Sequence, residues 1–122
     1  LCMDPVKLGA FCDDECVFLD GKLIYKGKTV TALVVVHVFV NMADMESIMD
    51  TAAKYGITVI EDATEALGTY YTEGKYKGMY AGTIGDFGAF SFNGNKIITT
   101  GGGGAVTAKN PDKVDNIRYL ST

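Results

Sequence analysis

The chain has 122 residues, which is enough for one domain with a modest core. Its composition, 48% hydrophobic and 21% charged, is ordinary for a globular protein and argues against intrinsic disorder. The formal net charge is -4, and the sequence has no cluster of Lys and Arg that could displace the counterions of a nucleic acid. We therefore expect no nucleic-acid partner.

Membrane insertion and secretion are also disfavoured. The longest apolar run, Val34 to Val40, is interrupted by His37 and is far shorter than the ~20 residues of a membrane span. The first residues carry too many charges for the apolar core of a signal peptide. Three cysteines, an odd number, fit a reducing compartment better than a disulfide framework, so we expect a cytoplasmic protein.

A metal site is an alternative raised by Cys12 and Cys16, which flank three acidic residues. A closed zinc site requires four nitrogen or sulfur ligands, and only His37 could join the two thiols. We therefore expect no metal here, and instead an acidic, solvated helix end with two half-buried thiols.

The first third of the chain predicts a helix, a hairpin and a buried strand. Apolar residues near helical spacing predict a helix from Asp4 to Phe18. The turn signal Asp20-Gly21 predicts a small hairpin between Phe18-Leu19 and Leu23–Tyr25. The β-branched run Val30–Val36 does not alternate, which is typical of a strand buried on both faces in a parallel sheet.

A strand, a helix and a strand then follow in order. The helix is predicted from about Ala43 to Tyr55, with Met and Ala side chains along one stripe and Gly56 as its stop. Ile57–Ile60 is the next strand. Strand, helix and strand within about thirty residues form a βαβ unit, which predicts a parallel α/β sheet.

The last part of the chain begins with an irregular, Gly- and Tyr-rich segment from Gly68 to Gly85. Phe87–Phe92 is a predicted strand, and Ala105–Thr107 is another. Pro111 lies in the first turn of a final helix that extends through Leu120, with Asn110 as its expected N-cap.

Polar side chains follow three of these strands, where ligands bind in open parallel sheets. Glu61 and Asp62 follow Ile60, Ser91 and Lys96 end and follow Phe87–Phe92, and His37 follows Val36. A carboxylate, a hydroxyl and an amine suit an anionic, nitrogen-containing cofactor better than a metal. The alternatives are that Asp62 caps a helix with Glu65 in a capping-box-like pair, that Lys96 is a surface lysine, and that His37 is structural.

The residues in three segments are more specific than their spacing. These segments are VIEDATEALG (59–68), GTIGDFGAFSFNGNK (82–96) and TTGGGGAVT (99–107). In content and order they closely resemble the DegT/StrS-type sugar aminotransferases, over about Val30 to Leu120. The resemblance implies the fold of a fold-type I transferase that depends on pyridoxal 5'-phosphate (PLP), with this chain contributing part of its parallel-rich α/β sheet.

The resemblance also implies a role for four residues. Lys96 matches the lysine that binds PLP covalently and serves as the catalytic base and acid. Asp62 matches the acid that pairs with the pyridine nitrogen, and Ser91 matches the hydroxyl that binds the cofactor phosphate. Glu65 stands where much of the family has Gln beside the cofactor ring.

The lysine motif is similar to that of one subgroup of the family. The enzymes of this subgroup act at C4 of UDP-linked 4-keto-6-deoxy-N-acetylhexosamines, which are used to make surface glycans. That subgroup tends to have Glu at the position of Glu65. The implied activity is transamination of such a nucleotide sugar with an amino donor such as glutamate, by a homodimer. Val40 departs from the family, where Gly is usual, and a β-branched residue resists positive φ.

Family members are much longer than this chain, and nothing before Val30 resembles their phosphate-binding loop. We therefore expect residues 1–122 to be a fragment of the PLP-binding large domain, with no second domain and without activity of its own. The alternative from a different class is a non-catalytic α/β fragment or degenerate paralogue with a structural or interaction role.

Overall fold

The computed structural model describes residues 2–121, which contain two sheets and three α-helices. The smaller sheet is antiparallel, with the strands β1 (Val17–Leu19), β2 (Lys22–Tyr25) and β3 (Lys28–Val30). The larger sheet has the order β4 (Ala32–Val36), β5 (Thr58–Asp62), β6 (Phe87–Ser91) and β7 (Gly104–Ala108). The helices are α1 (Pro5–Ala10), α2 (Met45–Tyr55) and α3 (Pro111–Ser121).

The first helix is shorter than the sequence predicts. Asp4 caps α1 by accepting hydrogen bonds from the first-turn amides, and a π-helical turn, Phe11–Glu15, continues it. The prediction of helix as far as Phe18 is wrong, because Val17 and Phe18 pair with β2 instead. A β-branched residue followed by an aromatic one favours an extended strand, and the turn at Asp20-Gly21 supplies its partner.

The hairpin at Asp20-Gly21 is confirmed, and a second one follows it. Both turns have two central residues with positive φ, namely Asp20-Gly21 and Lys26-Gly27. This conformation is the tight hairpin turn that matches the twist of the two strands. Lys-Gly is a weaker signal than Asp-Gly, so the sequence did not predict β3.

The run Val30–Val36 is divided between the two sheets. Val30 ends β3, and β4 begins at Ala32. Burial of this strand on both faces is a wrong prediction, because Val35 is fully buried while Val34 is 52% exposed and Val36 is 42% exposed. Only the face that bears Val35 is covered by α2.

The βαβ unit is confirmed. β4 and β5 are parallel neighbours, and α2 connects them. The helix begins after Asp44, which accepts a hydrogen bond from the Ser47 amide, and ends at Gly56 in the left-handed conformation. Met45, Ile48 and Ala52 on α2 pack with the closed face of the sheet, which we define as the face bearing Val35, Val59, Glu61 and Gly88.

β6 extends the sheet in parallel to β5, and β7 is antiparallel to β6, so the sheet is mixed. The predicted α/β class with a parallel-rich sheet is confirmed. We call the opposite side of the sheet the open face, which bears Val34, Val36, Ile60, Asp62, Phe87, Ala89, Ser91 and Val106. Helix α3 follows β7, and Asn110 accepts a hydrogen bond from the Asp112 amide as the sequence predicts.

Two glycines let the turn that precedes β6 pack very close to that strand. A Cβ atom at Gly88 would lie 2.0 Å from the Gly82 carbonyl oxygen, and a Cβ at Gly82 would lie 2.3 Å from the Phe90 ring. Gly82 also has a φ of +81°. The turn before β6 therefore packs directly on that strand, and only glycine fits at these two positions.

Candidate functional site

Asp62 and Ser91 are the last residues of two neighbouring strands. Asp62 ends β5 and pairs with Ala89 of β6, and Ser91 lies two residues beyond Ala89. Because residues two apart in a strand point to the same side, Asp62 and Ser91 lie on the open face at the carboxyl end of the sheet. Both residues are partly buried.

Asp62 does not cap a helix. One carboxylate oxygen accepts a hydrogen bond from the Thr64 amide at 3.1 Å, which forms a local turn, and the segment after it contains turns but no helix. Glu65 does not complete a capping box, since its carboxylate contacts Phe39 and Lys96 instead. The second oxygen of Asp62 accepts no hydrogen bond within the described part of the chain.

Lys96 lies after β6 and is much less exposed than a surface lysine. Its side chain is 17% exposed, and its Nζ atom is 3.6 Å from Oε1 of Glu65, whose side chain is 42% exposed. The Lys96 amide donates to the Asn93 carbonyl at 3.0 Å, which closes a turn directly after the strand. The structure thus brings together Lys96 and Glu65, from two different strand ends.

Ser91 and the glycine-rich run after Lys96 form the other side of this edge. The Ser91 hydroxyl accepts a hydrogen bond from the Asn93 amide at 3.4 Å, and Phe92 is hydrogen-bonded to both Gly103 and Thr100. The loop therefore returns to the end of β6. In residues 2–121 neither Asp62 nor Ser91 is hydrogen-bonded to Lys96, so these groups share an edge without direct contact.

The chemistry of these donors fits PLP. An amine is required for its aldehyde, a carboxylate for its pyridinium nitrogen and hydrogen-bond donors for its phosphate. Lys96, Asp62 and Ser91 supply one group of each type at the same edge, and one oxygen of Asp62 has no protein donor among the described residues. Glu65 adds a second carboxylate beside the amine.

The most buried polar side chains of residues 2–121 lie directly beneath this edge. His37 and Glu61 are both fully buried, and His37 Nε2 lies 2.8 Å from Glu61 Oε2. The same carboxylate accepts hydrogen bonds from the backbone amides of Gly82, Ile84 and Gly85. Sequence analysis identified Glu61 and His37 as candidates only because they follow strands. The hydrogen-bond network between them was not predicted.

The hydrogen bonds fix the state of the imidazole. His37 Nδ1 accepts a hydrogen bond from the Ala43 amide at 3.1 Å, so it carries no proton. Nε2 therefore carries the proton and donates to Glu61, and the ring is neutral. The expectation that His37 is structural agrees with these contacts, since both ring nitrogens bond to protein groups.

Glu61 is a buried anion held by donors on all sides. Burial by itself would raise the pKa of its carboxyl, but hydrogen bonds from His37 and from the amides of Gly85, Gly82 and Ile84 outweigh it and hold the pKa below its usual range. The burial of Glu61 could have been predicted from the sequence. Glu61 is two residues from buried Val59 in one strand, so its side chain has to face the core.

The turn after His37 is strained where the sequence indicates a conflict. Phe39 and Val40 have φ values of +50° and +61°, in the left-handed region. A β-branched residue is disfavoured there, so the expected difficulty at Val40 is real. The Phe39 amide donates to Oε2 of Glu65 at 3.4 Å, which connects this turn to the Lys96–Glu65 pair.

Residues 2–121 contain neither a candidate metal site nor a candidate membrane span. No three His, Cys, Asp or Glu side chains there are grouped closely enough to hold a metal ion. None of the helices in that range has the length and apolarity that crossing a membrane requires.

An α/β sheet with an amine, two carboxylates and a hydroxyl at its carboxyl edge has polar groups where ligands bind in open parallel sheets. Residues 22–122 match the model of the DegT/DnrJ/EryC1/StrS aminotransferase family. The chain belongs to this family.

Individual relatives agree with this assignment. The chain is 44% identical over 91 residues to the EpsN protein of Bacillus subtilis (strain 168), covering 75% of this chain and 22% of that protein. It is 45% identical over 102 residues to the GDP-perosamine synthase of Escherichia coli O157:H7, covering 84% and 26%. The chain thus spans about a quarter of the length of the curated relatives it matches.

A solved structure gives the same result for the fold. The DegT/DnrJ/EryC1/StrS aminotransferase from Brucella abortus superimposes with a TM-score of 0.76 at 25% identity, covering 96% of this chain and 28% of the other. The sheet and its helices therefore have the fold of the matching part of a fold-type I aminotransferase.

Proposed function

We propose that the full-length protein containing this chain is a PLP-dependent aminotransferase that aminates a nucleotide-linked 4-keto-6-deoxy sugar. The observation that carries the proposal is Lys96, a mostly buried lysine paired with Glu65 at the sheet edge that also bears Asp62 and Ser91. In a chain of this family, that arrangement is what a covalently bound PLP requires. Residues 1–122 are then a fragment of the PLP-binding large domain of a cytoplasmic homodimer.

Each of the four side chains has a distinct task. PLP, when bound, supplies an electron sink for the carbon that loses its proton. Asp62 would keep a proton on the ring nitrogen, because a nearby carboxylate favours the charged form. Ser91 would donate a hydrogen bond to the phosphate. Lys96 would hold the cofactor covalently, and its amine would serve as the base and then the acid in the proton transfer.

Glu65 lies beside Lys96 in this arrangement. Its Oε1 atom is 3.6 Å from Nζ of Lys96, which is within ion-pair range but too long for a hydrogen bond. The Phe39 amide, which donates to the other oxygen of Glu65, keeps that carboxylate turned toward the site.

The substrate class is supported by relatives and by the lysine motif. The E. coli relative is a GDP-perosamine synthase, which points to a GDP-linked sugar, whereas the motif from Ser91 to Gly104 is similar to proteins that act on UDP-linked N-acetylhexosamines. The proposal covers a 4-keto-6-deoxy sugar on either nucleotide and includes a role in surface-polysaccharide synthesis. An amino acid such as glutamate would supply the nitrogen.

The test is to express the full-length protein with PLP and to reduce it with borohydride. We expect a visible absorption band that reduction removes, and peptide mapping that places the pyridoxyl group on Lys96. A label on Lys54 or on any other lysine would contradict the assignment.

The reaction is tested with glutamate and with GDP- and UDP-linked 4-keto-6-deoxy sugars offered in parallel. Formation of an amino sugar from one of them identifies the nucleotide. A protein that carries PLP on Lys96 but aminates neither sugar would retain the cofactor assignment and refute the substrate class.

A further inference from the structure

The buried pair of His37 and Glu61 joins three separate parts of the chain. Glu61 lies in β5 and accepts hydrogen bonds from the turn before β6, at Gly82, Ile84 and Gly85. His37 follows β4, bonds to Glu61 through Nε2 and accepts the Ala43 amide at Nδ1. One carboxylate and one ring therefore fix the relative positions of β5, of the turn 82–85 and of the segment 37–43.

Each of these three parts leads to a residue of the candidate cofactor site. Asp62 is next to Glu61, and its carbonyl accepts the His37 amide at 3.0 Å. The turn 82–85 leads into β6, which ends at Ser91. The segment 37–43 contains Phe39, whose amide donates to Glu65, the partner of Lys96.

We propose that His37 and Glu61 are positioning residues for the PLP site, acting through Asp62 and through the contact between Phe39 and Glu65. This inference rests on the proposed function. Among residues 2–121, neither side chain is hydrogen-bonded to the side chains of the candidate site. Their role is to hold the backbone that presents Asp62, Glu65 and Ser91 at fixed places along one edge.

The charged and polar nature of the pair favours a positioning role over simple packing of the core. A buried charge with its partners contributes little more to stability than well-packed apolar residues would, but a carboxylate with four directed donors allows only one arrangement of the segments around it. The segment 37–43 needs such a constraint, because Phe39 and Val40 are held at positive φ. Strained residues keep such conformations only where their surroundings determine them.

The test uses Glu61→Gln, His37→Gln and His37→Asn in the full-length protein, with PLP binding followed by visible absorbance. We expect Glu61→Gln and His37→Asn to raise the PLP dissociation constant about tenfold or more, as loss of the partners that orient metal ligands does. His37→Asn reaches only the former Nδ1 position and loses the donor to Glu61, whereas His37→Gln places an amide N–H near the former Nε2 and can still donate to Glu61. His37→Gln should therefore retain tighter PLP binding than His37→Asn.

Tyr55→Phe is the matched control. Tyr55 is the last residue of α2, at the end of β5 opposite the site, and its hydroxyl donates to the exposed carboxylate of Asp13, so the variant removes a hydrogen bond away from the site. Melting temperatures are measured for every variant. If Glu61→Gln does not accumulate as folded protein, the two His37 variants give the same comparison.

Two outcomes decide the matter. Weaker PLP binding in the His37 and Glu61 variants than in Tyr55→Phe, at an equal loss of melting temperature, supports positioning. Unchanged PLP binding despite lower melting temperatures would show a structural role only and would overturn the inference. A wild-type protein that binds no PLP at Lys96 would instead refute the proposed function, which the borohydride experiment detects separately.

Discussion

The two faces of the larger sheet differ in what covers them, and two adjacent carboxylates show the consequence. Glu61 lies on the closed face under α2, fully buried and surrounded by donors. Asp62, the next residue, lies on the open face and accepts one hydrogen bond from its own turn. The same functional group is thus a structural anchor on one face and is available to a ligand on the other.

The apolar residues of the two faces differ in the same way. On the closed face Val35 and Val59 are fully buried, whereas on the open face Val34 and Val36 are about half exposed. Next to them is an apolar hollow of about 360 Å³, lined by Ile60, Phe87, Gly88, Ala89, Val106 and Ile117. Exposed apolar surface of this kind is usually covered by another structural element or by a binding partner.

The largest effect on stability is expected for Glu61→Gln on the closed face. The amide would turn an N–H group toward backbone donors, so we expect a loss of about 3 kcal/mol in the free energy of unfolding of the full-length protein. Denaturant titration measures this. A loss below about 1 kcal/mol would contradict the role of Glu61 as an anchor.

The same substitution predicts a pH dependence. Because the folded-state pKa of Glu61 is lowered, its contribution is fully present above the unfolded pKa, about 4.3, and is lost as the pH falls through the folded value. The stability difference between wild type and Glu61→Gln should therefore shrink in acid. A difference that stays constant between neutral and strongly acidic pH would contradict this prediction.

The complementary change on the open face is Asp62→Asn. Asn retains an oxygen for the Thr64 amide, so the stability should change little, while turnover should fall by roughly 10²-fold, since a charge pair worth ~3 kcal/mol is lost in the transition state. Steady-state kinetics of the full-length protein measure this. Near-normal turnover would show that Asp62 only stabilises its turn.

The open face is tested with the 122-residue chain alone. We expect this chain to self-associate, to bind PLP weakly and to lack aminotransferase activity, because Val34, Val36 and Val106 are exposed on one face. Analytical ultracentrifugation measures the association, and replacing Val34 and Val36 by Thr should reduce it. A monomeric chain that aminates a nucleotide sugar would contradict the fragment hypothesis.

The smallest effect is expected for Val40→Gly. Glycine adopts a φ of +61° without the strain of a β-branched residue, so the full-length protein should gain about 1 kcal/mol. Val38 has no positive φ, so Val38→Gly is the control and should be destabilising. Equal effects of the two substitutions on the thermal midpoint would contradict the assignment of strain to Val40.

The sequence predicted the local features of this fold and missed the long-range ones. Helix α2 was found because its stripe and Gly56 lie within one short window. The Val30–Val36 run gave no sign of an open face, because a series of apolar residues does not show which side is covered. The hydrogen bonds of Glu61 reach residues more than twenty positions away, so no local pattern indicated them.

The candidate site was predicted in part for the same reason. Asp62, Ser91 and Lys96 were found from strand ends and from the motif, and the structure places them at one edge. The contact of Glu65 with Phe39 was not predicted, because it depends on a left-handed turn that the β-branched Val40 disfavours. Their assigned roles remain predictions for the experiments above.

Gly82, before β6, and Gly88, within it, affect how a mutational scan of this protein would be interpreted. Glycine-rich stretches near a site for a phosphate-bearing cofactor are often explained as a cradle for the phosphate. A side chain at Gly82 or Gly88 collides with the protein's own strand and turn, whether or not a ligand is bound. In a library scored separately for abundance and for activity, substitutions at Gly82 and Gly88 should already be depleted in the abundance score. Intolerance at these two positions then measures folding, and it cannot be counted as a map of the active site.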